Sequence, residues 1–426
     1  MKNSKLMKSF MTLALSSTLL ASTSYAQDVR MMWYSDGNEG EVMADLLDRF
    51  MADNPDINVT LDVVSYQVVK EQLPIALEAG NGPDIARVTD LKVLAEHWLD
   101  LTPHLENPDD WRENFGSQAD WMRADGSDAI TGFMTQLTLT GGYANATLFE
   151  QAGVAIPGPE ATWDEWVAAA GEVAASQELE AAFAIDRSGH RITGPSVSYG
   201  ANYVGEDGLP AAVDAGVETF VAKLAEWTEQ GLNLGDVWVS AAGATYRPAA
   251  DEFINANIAY YYSGNWQISN LSSKIGDAFD WVATGSPCGT AACSGMAGGA
   301  GLVAIEYTEH PEAVAKVMEY LASEEVVREF SERSLFIPAH KGVVSAGGLE
   351  FVSDDNQVKS ALEAFVAASA NQSPNADQLP AWQWSGAYYT ALVARTSQVL
   401  AGELSLEDAI ARMDTDIAEQ VSQANQ

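Results

Sequence analysis

Strand-like and helix-like stretches alternate along the first hundred residues of this chain, and that order leaves few folds open. Residues 29–34 (VRMMWY) form a short apolar run. Residues 41–50 place Val42, Leu46, Leu47 and Phe50 on one helical face. Asn54-Pro55 stops that helix, and Ile57–Val64 then alternates as a strand does. Residues 66–79 read as a helix ending at Gly80, 84–88 as a third strand, and 91–99 as a further helix. A βαβαβα order predicts an α/β fold with a parallel sheet covered by helices.

A second unit begins near Asn145. Thr162 and Glu165 have the spacing of a capping box that opens an Ala-rich helix over 166–175. Residues 183–186 and 258–262 read as strands, with a helix over 214–230. Residues 295–301 form a glycine-rich stretch, expected as a turn or hinge at a ligand cleft. A strand over 302–305 and a helix over 311–323 follow, and the last third is helical at 361–370, 388–401 and 406–421. No internal repeat of fixed period is present.

Residues 1–26 read as a secretory signal peptide. Lys2, Lys5 and Lys8 precede an apolar stretch over 10–21, and Ser24 and Ala26 put small residues where a signal peptidase inspects them. The stretch is shorter than the ~20 residues that span a bilayer. No cysteine lies near the cut, so no lipid anchor is expected. Removing the three lysines takes the formal charge from −38 to −41. So large an acidic excess argues against nucleic acid and anionic membrane surfaces, which need clustered Lys and Arg. With 47% hydrophobic residues the chain still has ample material for a core.

Only two cysteines occur, Cys288 and Cys293. In an oxidising compartment a local disulfide that stiffens a loop is the natural reading, with two free thiols as the alternative. The five histidines are scattered, so no metal site is expected. The familiar enzyme motifs are missing, including the phosphate-binding, serine-hydrolase, zinc-protease and dinucleotide signatures. With 60 acidic residues some carboxylates will always lie close together, so no particular pair identifies a glycosidase.

Aromatic residues say more. Trp33-Tyr34-Ser35-Asp36-Gly37 follows the first strand, Ser263-Gly264-Asn265-Trp266 follows another, and Trp382-Gln383-Trp384-Ser385-Gly386 precedes a helix. Strand ends of this kind hold ligands in open α/β sheets. A Trp face covers the C–H face of a sugar while carboxylates and amides grip its hydroxyls. Packing is the alternative for each of these rings. Trp98, Trp111, Trp121, Trp163, Trp166, Trp227, Trp238 and Trp281 are expected to be structural.

These segments resemble the extracellular solute-binding proteins of bacterial ABC importers, in the sugar-binding branch that includes the maltose-binding protein. The resemblance runs over essentially the whole chain after the signal. It rests on Trp33 with Ser35-Asp36-Gly37; Phe50-x-x-x-Asn54-Pro55-x-Ile57-x-Val59; Ala79-Gly80-x-Gly82-Pro83-Asp84-Ile85 with Asp90; and Tyr143-Ala144-Asn145 through Val154. The Pro157-to-Trp166 segment, Ser263-Gly264-Asn265-Trp266, Gly298-Gly299 and Ile337-Pro338-Ala339 complete it. The chain departs from the family pattern at Arg87, Leu91, Gly141-Gly142, Ala146 and the small cysteine loop. Arg87 and Arg187 would form ion pairs within an acidic protein, or meet hydroxyls or an acidic sugar.

The resemblance implies a two-lobed periplasmic binding protein fold (type II, maltose-binding-protein-like) with a ligand cleft between the lobes. Lobe one would comprise 27–144 plus 296–336, and lobe two 145–295 plus 337–426. It implies Trp33, Asp36, Glu39 and Asp90 as lobe-one contacts and Asn145 at the crossing. Asp186, Arg187, Asn265, Trp266, Trp382 and Trp384 would be lobe-two contacts, with Gly298 and Gly299 allowing close approach at the return crossing. It implies a monomer without cofactor or catalysis that captures a carbohydrate in the periplasm and delivers it to a membrane permease. Two other readings compete: a receptor for a cationic or zwitterionic solute such as a polyamine, held by cation–π contacts, and a secreted glycoside hydrolase.

Overall fold

Along the first strand, β1 (Gln27–Tyr34), Val29, Met31 and Trp33 point into one apolar core while Asp28 and Arg30 face solvent. In the computed structural model, which describes residues 26–124, 126–239, 246–369 and 371–424, β1 is flanked on both sides by parallel neighbours. These are β2 (Ile57–Val64) and β3 (Ile85–Val88). Of the expected signal segment 1–26, residues 1–25 lie outside the described residues.

The other strands are β4 (Gly132–Asn145), β5 (Phe183–Ile185), β6 (Tyr260–Gly264), β7 (Trp281–Thr284) and β8 (Ala297–Ala304). One sheet runs β2-β1-β3-β8-β4-β6-β5, with β7 also paired to β4. The long strand β4 joins its two halves. Its first residues pair antiparallel with β8, from Gly132↔Val303 to Leu139↔Ala297, with an irregularity between Met134 and Gln136. Its last residues pair with β6 and β7. A strand that changes partners along its length carries the chain from one lobe to the other.

Each lobe has its own core. In lobe one, the helices Glu39–Asp53, Pro311–Ala322 and Glu324–Ser334 cover one face of β1, and Val69, Leu73 and Leu77 of the helix Tyr66–Glu78 cover the other. Lobe two packs around Trp163, Phe183, Tyr260, Tyr261, Tyr262 and Trp281, all essentially unexposed. The Trp residues read as structural are largely in these cores; Trp163, Trp238 and Trp281 are fully buried.

Local signals explain the element ends. Asn54 donates from its backbone and its side chain to Phe50 O, closing the first helix. The capping box is complete: Glu165 N donates to Thr162 Oγ1 at 3.2 Å, and Thr162 N donates to Glu165 Oε2 at 2.7 Å. Cys288 and Cys293 are joined by a disulfide.

Three expectations are corrected. The glycine-rich stretch 295–301 is mostly strand, not loop. A Cβ on Gly299 would stand 2.3 Å from Gln136 O, so bare backbone is what lets β8 lie against β4 there. Residues 91–99 form turns around a single 3₁₀ segment, Ala95–His97, rather than a helix. Residues 339–342, within the stretch expected in lobe two, lie against lobe one: Ala339 joins its core, His340 meets Phe115 at 5.2 Å between ring centroids, and Gly342 N donates to Asn114 Oδ1 at 3.2 Å. The chain touches the lobe-two core at Ile337 and again at Phe351, and Asp355 then accepts from Ser272 Oγ of lobe two at 3.3 Å.

Candidate ligand-binding cleft

The strand ends of both lobes converge on a cavity of about 440 Å³, within the range of small-molecule sites. Lobe one contributes Tyr34, Asp36, Tyr66 and Asp90. Lobe two contributes Asp186, Arg187, His190, Arg191, Trp266 and Tyr389. Thr138 of β4 and Gly298 and Gly299 of β8 form the floor.

On the lobe-one wall a buried cation organises the acids. Arg87 has no exposure; its Nη1 lies 3.0 Å from Glu39 Oε1 and its Nη2 3.5 Å from Asp36 Oδ2. It also donates to Tyr34 O, and its guanidinium stacks 4.1 Å from the Tyr34 ring and 4.8 Å from Trp33. Glu39 accepts from the backbone N–H groups of Asp36 and Gly37 at the start of its helix, where the helix dipole favours an anion. Asp36 thus stands on a fixed loop. Burial pushes its carboxyl up to about 6, against the pull of Arg87 and Arg191 and with the push of Glu39. Beside it, Lys70 Nζ holds both oxygens of Asp90 at 2.5 and 2.6 Å.

On the lobe-two wall, Asp186 follows β5 directly. It accepts from Tyr261 OH at 2.9 Å and Ser263 Oγ at 2.5 Å, and Arg191 Nε lies 3.8 Å away. Burial raises its pKa, opposed by Arg191 and those hydrogen bonds. Arg191 lies over the Trp266 ring at 4.2 Å, and Arg187 over Tyr246 at 4.1 Å. His190 stacks on Tyr389 at 4.0 Å, and burial, with Arg191 and Lys70 nearby, holds it well below its ordinary pKa, so it is neutral near pH 7.

The lobes touch across this cavity. Ser269 Oγ, in the lobe-two helix Ile268–Ile275, donates to Asn38 Oδ1 of lobe one at 3.1 Å. The Trp266 side chain leaves lobe two and packs against a lobe-one core. A Cβ on Gly386 would lie 3.3 Å from Val93, another contact between lobes.

Of the residues singled out in the sequence, Asp36, Asp90, Asp186, Arg187, Trp266, Gly298 and Gly299 come together here. The rest do not line the cavity. Trp33 is fully buried against Phe330. Glu39 sits behind Asp36 as the partner of Arg87. Asn145 caps the helix Ala146–Ala152 by accepting from Leu148 N. Asn265 is buried and ties itself to β4, accepting from Leu139 N at 2.9 Å and donating to Leu137 O at 3.2 Å. Trp382 donates to Gly208 O, and Trp384 packs against the lobe-two core. Arg87 forms the ion pairs expected of it, but Arg187 has no carboxylate partner among the described residues. Sequence reasoning passed over Arg191, His190, Tyr66 and Tyr389. Among the described residues the one group spaced to share a metal ion, Glu78, Glu96 and His97, lies outside the cavity.

The pattern of the bacterial extracellular solute-binding protein family matches residues 34–328. Similar folds include the GacH receptor of Streptomyces glaucescens, known unliganded and with acarbose; it shares 18% identity at a TM-score of 0.74, covering 92% of this chain and 97% of that one. Maltose-bound MalE3 of T. maritima is 17% identical, with a TM-score of 0.75 over 93% and 100% of the chains. The ABC substrate-binding protein Lmo0181 of Listeria monocytogenes, in complex with cycloalternan, is 17% identical with a TM-score of 0.77 over 93% and 99%. At such identities the likeness is one of fold. No curated protein matches the chain. No described helix is long and apolar enough to cross a membrane.

Proposed function

The chain belongs to the bacterial extracellular solute-binding proteins, and from that premise we propose that it captures a carbohydrate in the periplasm for an ABC importer. The family binds solutes rather than transforming them. The observation that carries the carbohydrate reading is the composition of the cleft: an aromatic face, Trp266, stands among carboxylates already fixed in place by other groups. Asp36 is fixed by Arg87, Asp90 by Lys70, and Asp186 by Tyr261 and Ser263. Such groups can accept from sugar hydroxyls without first reorganising. The solved relatives GacH, MalE3 and Lmo0181 carry acarbose, maltose and cycloalternan respectively, which supports a sugar here.

Delivery follows from closure. A ligand that meets Asp36 on one lobe and Trp266 on the other gains its full contacts only when the lobes are shut, and so shifts the equilibrium to the closed form that a permease would recognise. We assign the ligand contacts to Asp36, Asp90, Asp186, Arg187, Trp266 and the Gly298-Gly299 floor. The test is titration of the purified protein with mono- and oligosaccharides, followed by calorimetry and Trp fluorescence, with chromatography of the recovered ligand. Saturable binding with the sugar returned intact is expected. Turnover of the sugar, or binding confined to amines, would overturn the reading.

A further inference from the structure

Charge compensation in the cleft is uneven. Every acid lining it is engaged: Asp90 with Lys70, Asp36 with Arg87, and Asp186 with Tyr261, Ser263 and Arg191. A neighbouring cavity-lining cation, Arg247, is held by three acids, with Glu180 and Glu252 each 2.6 Å away and Asp236 at 3.7 Å. Arg187 differs. It lines the cavity over Tyr246, forms no ion pair among the described residues, and has a buried Nε without a hydrogen-bond partner. Arg191 is only partly satisfied: its Nε also lacks a hydrogen-bond partner, and the carboxylate nearest it, Asp186 at 3.8 Å, already accepts two hydrogen bonds.

Acidic residues outnumber basic ones 60 to 22 in this sequence. Where acids are so plentiful, a half-buried guanidinium with its Nε buried and no carboxylate beside it is unexpected, because withdrawing a charge from solvent is costly unless an opposite charge meets it. The backbone points the same way. Arg187 immediately precedes Ser188, the first residue of the turn into the helix Gly189–Ser198, and Ser188 does not cap that helix. Its hydroxyl lies instead 3.2 Å from His190 Nδ1. The helix start, where N–H groups favour an anion, therefore faces the same cavity.

We infer that the ligand is a carboxylate-bearing sugar, a uronate, whose carboxylate is read by Arg187 with Arg191 beside it. This rests on the carbohydrate reading above and narrows it. Arg offers a planar fork that matches a carboxylate through two parallel hydrogen bonds, which a neutral hydroxymethyl group cannot reproduce. The acidic surface does not forbid this, because salt screens charges beyond about 8–10 Å at physiological strength.

The experiment is calorimetric titration of the purified chain with gluco-, manno- and galacturonate mono- and oligosaccharides, each paired with its neutral counterpart of the same linkage. A uronate is expected to bind roughly thirty-fold more tightly than its neutral partner, the scale of a charge-assisted pair. Its affinity should fall with added salt, and Arg187→Gln should collapse the ratio toward one. If Arg187→Gln does not fold, the wild-type ratio and its salt dependence decide, with Arg187→Lys expected to retain only part of the preference. Neutral sugars binding as tightly as their uronates, or an undiminished ratio in the variant, would overturn the inference while leaving carbohydrate binding intact. If only non-sugar solutes bind, both readings fall together.

Discussion

Arg87 Nη1 and Glu39 Oε1 lie 3.0 Å apart, and neither side chain has any exposed surface. The pair is the support on which Asp36 stands, since Glu39 also receives the Asp36 and Gly37 N–H groups. Removing one member leaves the other charge buried. Glu39→Gln should therefore cost about 3 kcal/mol or more of stability in a denaturant titration. Arg87→Met combined with Glu39→Gln should recover part of that loss, because the stranded charge is then gone.

Asp36 gives the protein an unusual pH response. Its folded pKa, about 6, is above the ordinary aspartate value of 3.8. Between these values the folded chain binds the proton more tightly than the unfolded chain does. This group's contribution to stability therefore falls as pH rises from about 4 to 6, the reverse of a salt-bridged carboxylate with a depressed pKa. If the ligand needs the carboxylate ionised, its affinity should fall as pH drops below about 6. Asp36→Asn should flatten the stability slope in that window, as thermal unfolding across pH would show.

Trp266 and Trp382 should part company under mutation. Trp266→Ala removes a cavity wall and the ring beneath Arg191, and should cost about 1–3 kcal/mol of ligand affinity. Trp382 packs on Tyr388 at 5.7 Å and is largely buried outside the cavity. Trp382→Ala should lower stability by about 3–5 kcal/mol instead. Calorimetry and chemical denaturation on both variants separate the two effects.

The Ser269–Asn38 hydrogen bond joins the two lobes, and if it helps to close them its loss should be felt in binding. Ser269→Ala should weaken affinity by about 0.5–1.5 kcal/mol, mostly through faster ligand release. Stopped-flow dissociation rates test this, and small-angle scattering should show a larger open fraction in the ligand-free variant. An unchanged release rate would remove the bond from the closing mechanism.

The sequence was most readable where side chains alternate. The strand Ile57–Val64 has the predicted limits, and the Thr162–Glu165 cap is complete. The same alternation places Trp33 on the face of Val29 and Met31, hence in the core, although its position at a strand end suggested the cleft. The strand over 297–304 was obscured because its glycines carry no side-chain period. Arg191 and His190 escaped notice for a related reason. Their helix contains Gly189, Gly194 and Pro195, which mask its pattern. Asn265 was placed at the right loop but given the wrong partner. Its amide serves β4, a contact that depends on tertiary geometry rather than local spacing.

The antiparallel pairing of β4 with β8 joins Gly132 to Val303, and β3 to β8 joins Val88 to Gly301. Lobe one is consequently not a unit that can mature from its own early residues. Its sheet stays open at β3, and the helices Pro311–Ala322 and Glu324–Ser334 that roof its core are missing, until about three quarters of the polypeptide has emerged. Contacts so distant along the chain make closure of this lobe slow and leave its early strands uncovered until the late helices arrive.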